Sequence, residues 1–371
     1  TIIGYLAGEK ITSTVETGLI GAYAGTKLNS GDADGTVVIG MNALATATDA
    51  QRNVVIGYEA ANKLKTDDNV AIGFRSMRYI GDTAGSSHGE NNIAIGTYSL
   101  GGGDSSTYAN NTGYKNIAIG YQALGNGHST AFTANENVAI GHNVMNYGGN
   151  MVSSVAIGST AGLYATGSYN TFVGAEAGKG GVDDVPFSSG NENVAIGYQA
   201  LTAFTTGKWN VAVGRNAGDS ITTSQGSVLL GYYAGSQITT GIGNTIIGEQ
   251  AGSAHDDSGY NTIIGYRTSA NGTSGGGDNN VIVGAQAGGQ QGTMTGGSNT
   301  ILGMQAMQYA TTTSGNISIG WESGKNLSTG DYNIFMGYSA GGNSTDVDNS
   351  VIIGFQAGLG VMTSDADGTI S

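Results

Sequence analysis

The chain has 371 residues, of which 67 are glycine, one is proline (Pro186) and none is cysteine; 11% are charged and the formal net charge is −14. These values exclude a disulfide framework and collagen, and the apolar content of 39% is too high for a disordered Gly/Ser linker. An acidic surface with no Lys/Arg cluster repels nucleic acid and anionic lipid, and no apolar run approaches the ~18–20 residues of a membrane span.

Taken in chain order, one element recurs from end to end. A short apolar stretch closes on a glycine at Gly4, Gly21, Gly40, Gly57, Gly73, Gly96, Gly120, Gly141, Gly158, Gly174, Gly197, Gly214, Gly231, Gly248, Gly265, Gly284, Gly303, Gly320, Gly337 and Gly354. That makes twenty copies, with 17 as the commonest spacing. The stretches "NIAIGYQAL" (Asn116–Leu124) and "NVAIGYQAL" (Asn193–Leu201) are near-identical copies. Each copy predicts a short strand before the glycine, because Val, Ile and Phe favour strands. A turn follows, then a Gly/Thr/Ser-rich return. Four residues before the glycine sits a small polar residue, usually Asn, and three after it a small one, usually Ala. Longer spacings of 21 to 24 lie mainly between Gly73 and Gly197, and place insertions at 79–91, 101–115, 125–136 and 178–192.

A 17-residue unit cannot enclose a core by itself, so the copies must stack. The expected fold is all-β: a parallel β-solenoid of about twenty coils, one continuous array over residues 1–371. At about 4.8 Å per coil it would form a rod roughly 95 Å long. Asparagines stacked in register would form a side-chain amide ladder. Alternate strand residues point to opposite faces, and both faces are apolar in nearly every copy, Ser318 being an exception. A thin coil buries one face inside itself. The other needs a cover, which predicts a homotrimer; the alternative is a fatter monomeric solenoid whose return segment covers that face.

The "AIG…A" units, as in "NVAIGYQAL" and "NTIIGEQAG", resemble the head repeats of trimeric autotransporter adhesins. They are still more similar to the Gly-rich "AIGYQA"-type repeats of bacteriophage tail fibres. The resemblance spans essentially the whole chain. It implies a trimeric parallel β-solenoid acting as an elongated fibre shaft or adhesin, outside the cell or on a virion, with a cell-surface glycan or receptor as a further partner. A bacterial surface adhesin or extracellular filament is the alternative. The period of 17 and the insertions depart from the shorter, regular autotransporter repeats. The chain opens inside a strand with "TIIG" and stops at "DGTIS", which reads as a window on a longer polypeptide.

The insertions are the first place to seek binding residues, since solenoid loops tolerate added length and carry function. They hold Tyr108, Tyr114, His128, Phe132 and Phe187, aromatic side chains suited to stacking on sugar rings, or to tucking back onto the coils. An aromatic directly after the repeat glycine, as at Tyr58, Phe74, Tyr198 and Tyr338, reads as a packed ladder before it reads as a carbohydrate platform. The sequence "DADG" occurs twice, and Asp32, Asp34, Asp365 and Asp367 are calcium candidates by charge and turn geometry. No complete EF-hand loop follows, so solvated turn residues are the simpler reading. Only one hexapeptide of the β-helix acyltransferase type falls in each coil. The four histidines, His88, His128, His142 and His255, form no recognisable Ser/His/Asp or zinc pattern. No catalytic residue and no cofactor are expected.

Overall fold

The computed structural model describes residues 1–12, 16–29, 34–48, 50–80, 89–101, 113–125, 133–148, 150–181, 188–253, 255–270, 277–290 and 294–371. It is an all-β parallel solenoid with about 17 residues per turn, built from twenty short strands that each end just before a repeat glycine. The chain divides into two compact units, Thr1–Glu192 and Asn193–Ser371.

In the first unit the strands run from Ile2–Ile3 to Thr171–Val173. Within the unit, neighbouring copies pair in parallel: Ile93 faces Ile117, Ala94 faces Ala118 and Ile95 faces Ile119. The second unit repeats this from Val194–Ile196 to Val351–Ile353, with Ile246 facing Ile263 and Ile263 facing Ile282. Equivalent positions therefore lie directly over one another.

The glycine closing each strand is required by geometry. Gly197 has φ +131°, and a Cβ there would sit 2.5 Å from the carbonyl oxygen of Gly214 in the next coil. The two backbones are too close for any side chain. The turn then drives non-glycine residues into the left-handed region, as at Gln199 (φ 56°) and Leu201 (φ 50°). That conformation costs about 1–2 kcal/mol per residue. Hydrogen bonds to the following coil offset it: Leu201 N–H donates to Ala217 O at 3.1 Å, and Asn216 N–H to Tyr198 O at 2.9 Å.

In every strand after the first the central residue points inward and is fully buried; the residue three past the glycine is buried in all but the first and last copies, and in most described coils so is the apolar residue seven past it. Leu28, Leu64, Phe204, Ile221, Ile238 and Leu327 fill that last position. Volume is traded within a coil. Where the strand centre is Ala118, the residue four past the glycine is Leu124; where it is Phe335, the same place is Gly341. A Cβ on Gly341 would lie 2.5 Å from the Phe335 ring. Close packing in both cases follows from this exchange. The polar strand centre, Ser318, donates to Ser323 O at 2.8 Å, so its burial leaves no orphaned hydroxyl.

The asparagines form the expected ladder. In the second unit Asn299 Oδ1 accepts from Asn316 N–H (3.0 Å), and Asn316 Oδ1 accepts from Asn333 N–H (2.8 Å). Several Nδ2 groups also tie down the return fourteen residues on, as Asn316 does to Gly330 O at 2.9 Å and Asn333 to Val347 O at 2.6 Å, whereas the buried Nδ2 of Asn261 has no partner. The first unit does the same through Asn92, Asn116 and Asn137.

Candidate functional site

The strand residues flanking the buried centre point outward and are half-buried in most coils and exposed in others. Ile39, Ile95 and Ile157 in the first unit, and Ile196, Ile317 and Ile353 in the second, are 36–54% exposed. The return segments pack onto the inner face and leave this outer row uncovered. A repeating apolar row of this kind is unusual for a surface that faces only water.

The aromatic stripe lies beside it. Tyr58 stacks on Phe74 with ring centroids 5.4 Å apart, and Tyr338 on Phe355 at 5.1 Å. Trp321 and Tyr338 are 4.6 Å apart. The rings therefore pack coil on coil while keeping an exposed edge: Tyr198 is 43% exposed.

Of the insertion residues singled out from sequence, Tyr108, His128, Phe132 and Phe187 lie outside the described residues. Tyr114 is half-buried, with Lys115 Nζ 5.6 Å from its ring centre. Its backbone N–H donates to Asn135 Oδ1 at 3.2 Å, so it is tied to the next coil.

The acidic turns have a structural use. Asp331 Oδ1 accepts from Ser314 N–H, Asp348 Oδ1 from Asp331 N–H and Asp367 Oδ1 from Asp348 N–H, at 2.6–2.8 Å. Among the calcium candidates, Asp32 lies outside the described residues. Asp34 sits in an exposed turn, and Asp365 belongs to a short exposed 3-10 turn, Ser364–Ala366. No group of three or more metal-ligating side chains occurs among the described residues. In the first unit Asp67 and Asp68 both contact Arg52, and the Arg52 hydrogen bond holds the Asp68 carboxyl below its ordinary range.

His88 and His128 lie outside the described residues, and His142 stacks on Tyr121 at 5.3 Å. His255, which the sequence singles out only as lacking a catalytic or zinc pattern, has a core place that sequence reasoning missed. It takes the core place that Ile221 and Ile238 fill in the two preceding coils. Its Nδ1 lies 2.9 Å from Ser258 Oγ and its Nε2 2.8 Å from Ser269 Oγ. Burial lowers its pKa from 6.5 to about 4, so it is neutral at pH 7. Both ring nitrogens are engaged and the ring is 3% exposed, which leaves no approach for a substrate. A single-column alignment on the repeat glycine finds it, because seven past Gly248 is a core position.

A polar groove of about 300 Å³ opens in the second unit between Tyr309, Glu322, Lys325, Asn326 and Asn343. It arises from a local deficit of side-chain volume. Glu322 and Lys325 stand two and five residues past Gly320, and the next coil has only Ser339 and Gly342 at those places.

No helix among the described residues is long and apolar enough to cross a membrane. Fold and surface together define a parallel β-solenoid repeat protein with an uncovered apolar strand face. No protein-family model matches the chain, and a search of curated proteins finds no relative.

Proposed function

We propose that this chain is part of the shaft of a homotrimeric β-solenoid fibre of the phage tail-fibre kind, working outside cells or on a virion and positioning contacts to a host surface. The observation that carries the reading is the outer strand face. Its Val, Ile and Thr rungs repeat coil after coil, half-open to solvent, and copies of the same row can cover each other in register. Burying a row of such side chains is worth ~25 cal/mol per Å² of apolar surface. Summed over many coils it favours assembly of equal chains, and identical rungs suit a symmetric contact. Repeated weak surface contacts on a trimer then reinforce one another by avidity.

Light scattering on the purified chain tests the assembly. A trimer has a mass of about 112 kDa, three times the 37.2 kDa chain. Placing lysine on the outer row, Ile157→Lys with Ile196→Lys, should shift the mass toward that of one chain. A wild-type mass of one chain at all concentrations overturns the assembly, and with it the shaft reading.

A further inference from the structure

We propose that the polar groove of the second unit binds one pyranose unit of a neutral saccharide. The groove has a floor and two walls of different chemistry. Its floor is Ser339 and Gly342, small residues that leave room where the preceding coil carries Glu322 and Lys325. One wall is that pair itself, with Lys325 Nζ donating to Glu322 Oε1 at 2.5 Å. The two charges cancel locally, yet the ammonium keeps further N–H donors and the carboxylate further lone pairs.

The other wall is a fixed pair of amides. Asn326 Nδ2 donates to Gly342 O at 2.8 Å and to Asn343 Oδ1 at 3.2 Å, and Asn343 Nδ2 donates to Leu359 O at 2.7 Å. These bonds set both amide planes and leave Asn326 Oδ1 open as an acceptor. The Tyr309 ring closes the end, its own backbone N–H bonded to Lys325 O at 3.0 Å. It supplies an apolar surface for the C–H face of a sugar ring. Polar groups already held in place need no reordering on binding.

The same features select against other ligands. Glu322 and the net charge of −14 disfavour anions. Lys325 disfavours cations. Apart from Leu359, the lining is polar or small and offers little to an apolar peptide. A volume of about 300 Å³ is at the small end of ligand sites, which span ~300–1,000 Å³. It suits a single ring with several hydroxyls. One such contact is weak, with Kd of order 1 mM, or about −4 kcal/mol.

The site gives the proposed shaft a binding element and rests on that reading only for its purpose; scattering tests the assembly and sugar binding tests the groove, so either can fail alone. The experiment is saturation-transfer NMR on the whole chain with the methyl pyranosides of glucose, galactose, mannose and N-acetylglucosamine. Transfer to at least one is expected. Gly342→Lys fills the groove with the side chain the previous coil already carries at that place. Tyr309→Ala and Asn343→Ala each remove a wall, and they keep the test valid should Gly342→Lys lose its β-type circular dichroism. Each folded variant should bind at least tenfold more weakly, whereas Tyr332→Ala, at an exposed ring elsewhere in the unit, should bind as the parent does. Absence of transfer to all four sugars overturns the proposal. So does undiminished transfer in the folded groove variants, or an equal loss in Tyr332→Ala.

Discussion

Replacing Asn316 by alanine tests how much of the coil's stability resides in its amide ladder. The side chain makes hydrogen bonds in three directions. Its Nδ2 donates to Gly330 O at 2.9 Å and to Asn299 Oδ1 at 3.2 Å, and its Oδ1 accepts from Asn333 N–H at 2.8 Å and Asn333 Nδ2 at 3.0 Å. Asn299 Oδ1 keeps a donor, because Asn316 N–H still reaches it at 3.0 Å. Gly330 O and Asn333 N–H lose their side-chain partner, and both residues are buried. A buried group left unpartnered costs about 1–3 kcal/mol, so the expected loss is about 2–6 kcal/mol. Global melting is a poor readout, because a stack of repeats opens locally and need not melt in two states. Hydrogen exchange resolved to peptides reads local opening directly. At 1.4 kcal/mol per factor of ten, the Asn333 amide should exchange about 30-fold faster or more. Asn316→Ser should do less harm, because Ser227 holds a rung in the native ladder, its Oγ accepting from Asn244 N–H at 3.3 Å. If exchange near Asn333 were the same in Asn316→Ala as in the parent, the ladder would be a by-product of stacking and the reasoning would fail.

Three further substitutions follow from the packing of the coils. His255 has a folded pKa of about 4 against 6.5 for the free side chain, so the unfolded chain takes up the proton first as pH falls. Its coil should hold full stability above pH ~6.5 and lose about 3 kcal/mol on going down to pH ~4, at ~1.36 kcal/mol per pH unit. His255→Ile should remove that acid-dependent part while lowering stability at pH 7, since Ser258 and Ser269 lose a partner; an unchanged acid profile by hydrogen exchange would count against a buried neutral imidazole. Gly197→Ala should disrupt its coil by several kcal/mol, because the added carbon meets Gly214 O at 2.5 Å at φ +131°. Gly226→Ala, at φ +67° with nothing within 4 Å, should cost only about 1 kcal/mol, and equal acceleration of local hydrogen exchange in the two variants would refute the backbone-contact argument.

The repeat, the strands and the asparagine ladder were legible in the sequence because each rests on one residue type in one column. Inward and outward strand residues followed from alternation. The turn conformation was not legible. Gln199 and Leu201 carry no glycine or asparagine signal, and neighbouring coils impose their left-handed backbone. The exchange of volume between Phe335 and Gly341 was also hidden, since it links two columns rather than one. The groove escaped because it is made by what Ser339 and Gly342 lack relative to Glu322 and Lys325. Aromatic content drew attention to the insertions. Of the residues named there, only Tyr114 belongs to the described coils, and it is bonded to the next coil.

The asparagine relay runs one way. Among the described rungs that form it, the side-chain oxygen serves the backbone of the next rung and not that of the one before. A cut between two coils therefore leaves a spare acceptor on one side and a spare donor on the other, and any such pair of ends is complementary. Whole coils behave as interchangeable cassettes joined by the same plug and socket. Unequal recombination between copies whose core residues also match, such as Asn116–Leu124 and Asn193–Leu201, would then add or delete coils and keep the relay intact, whereas a coil centred on Phe335 also demands the glycine at Gly324 in the coil before it.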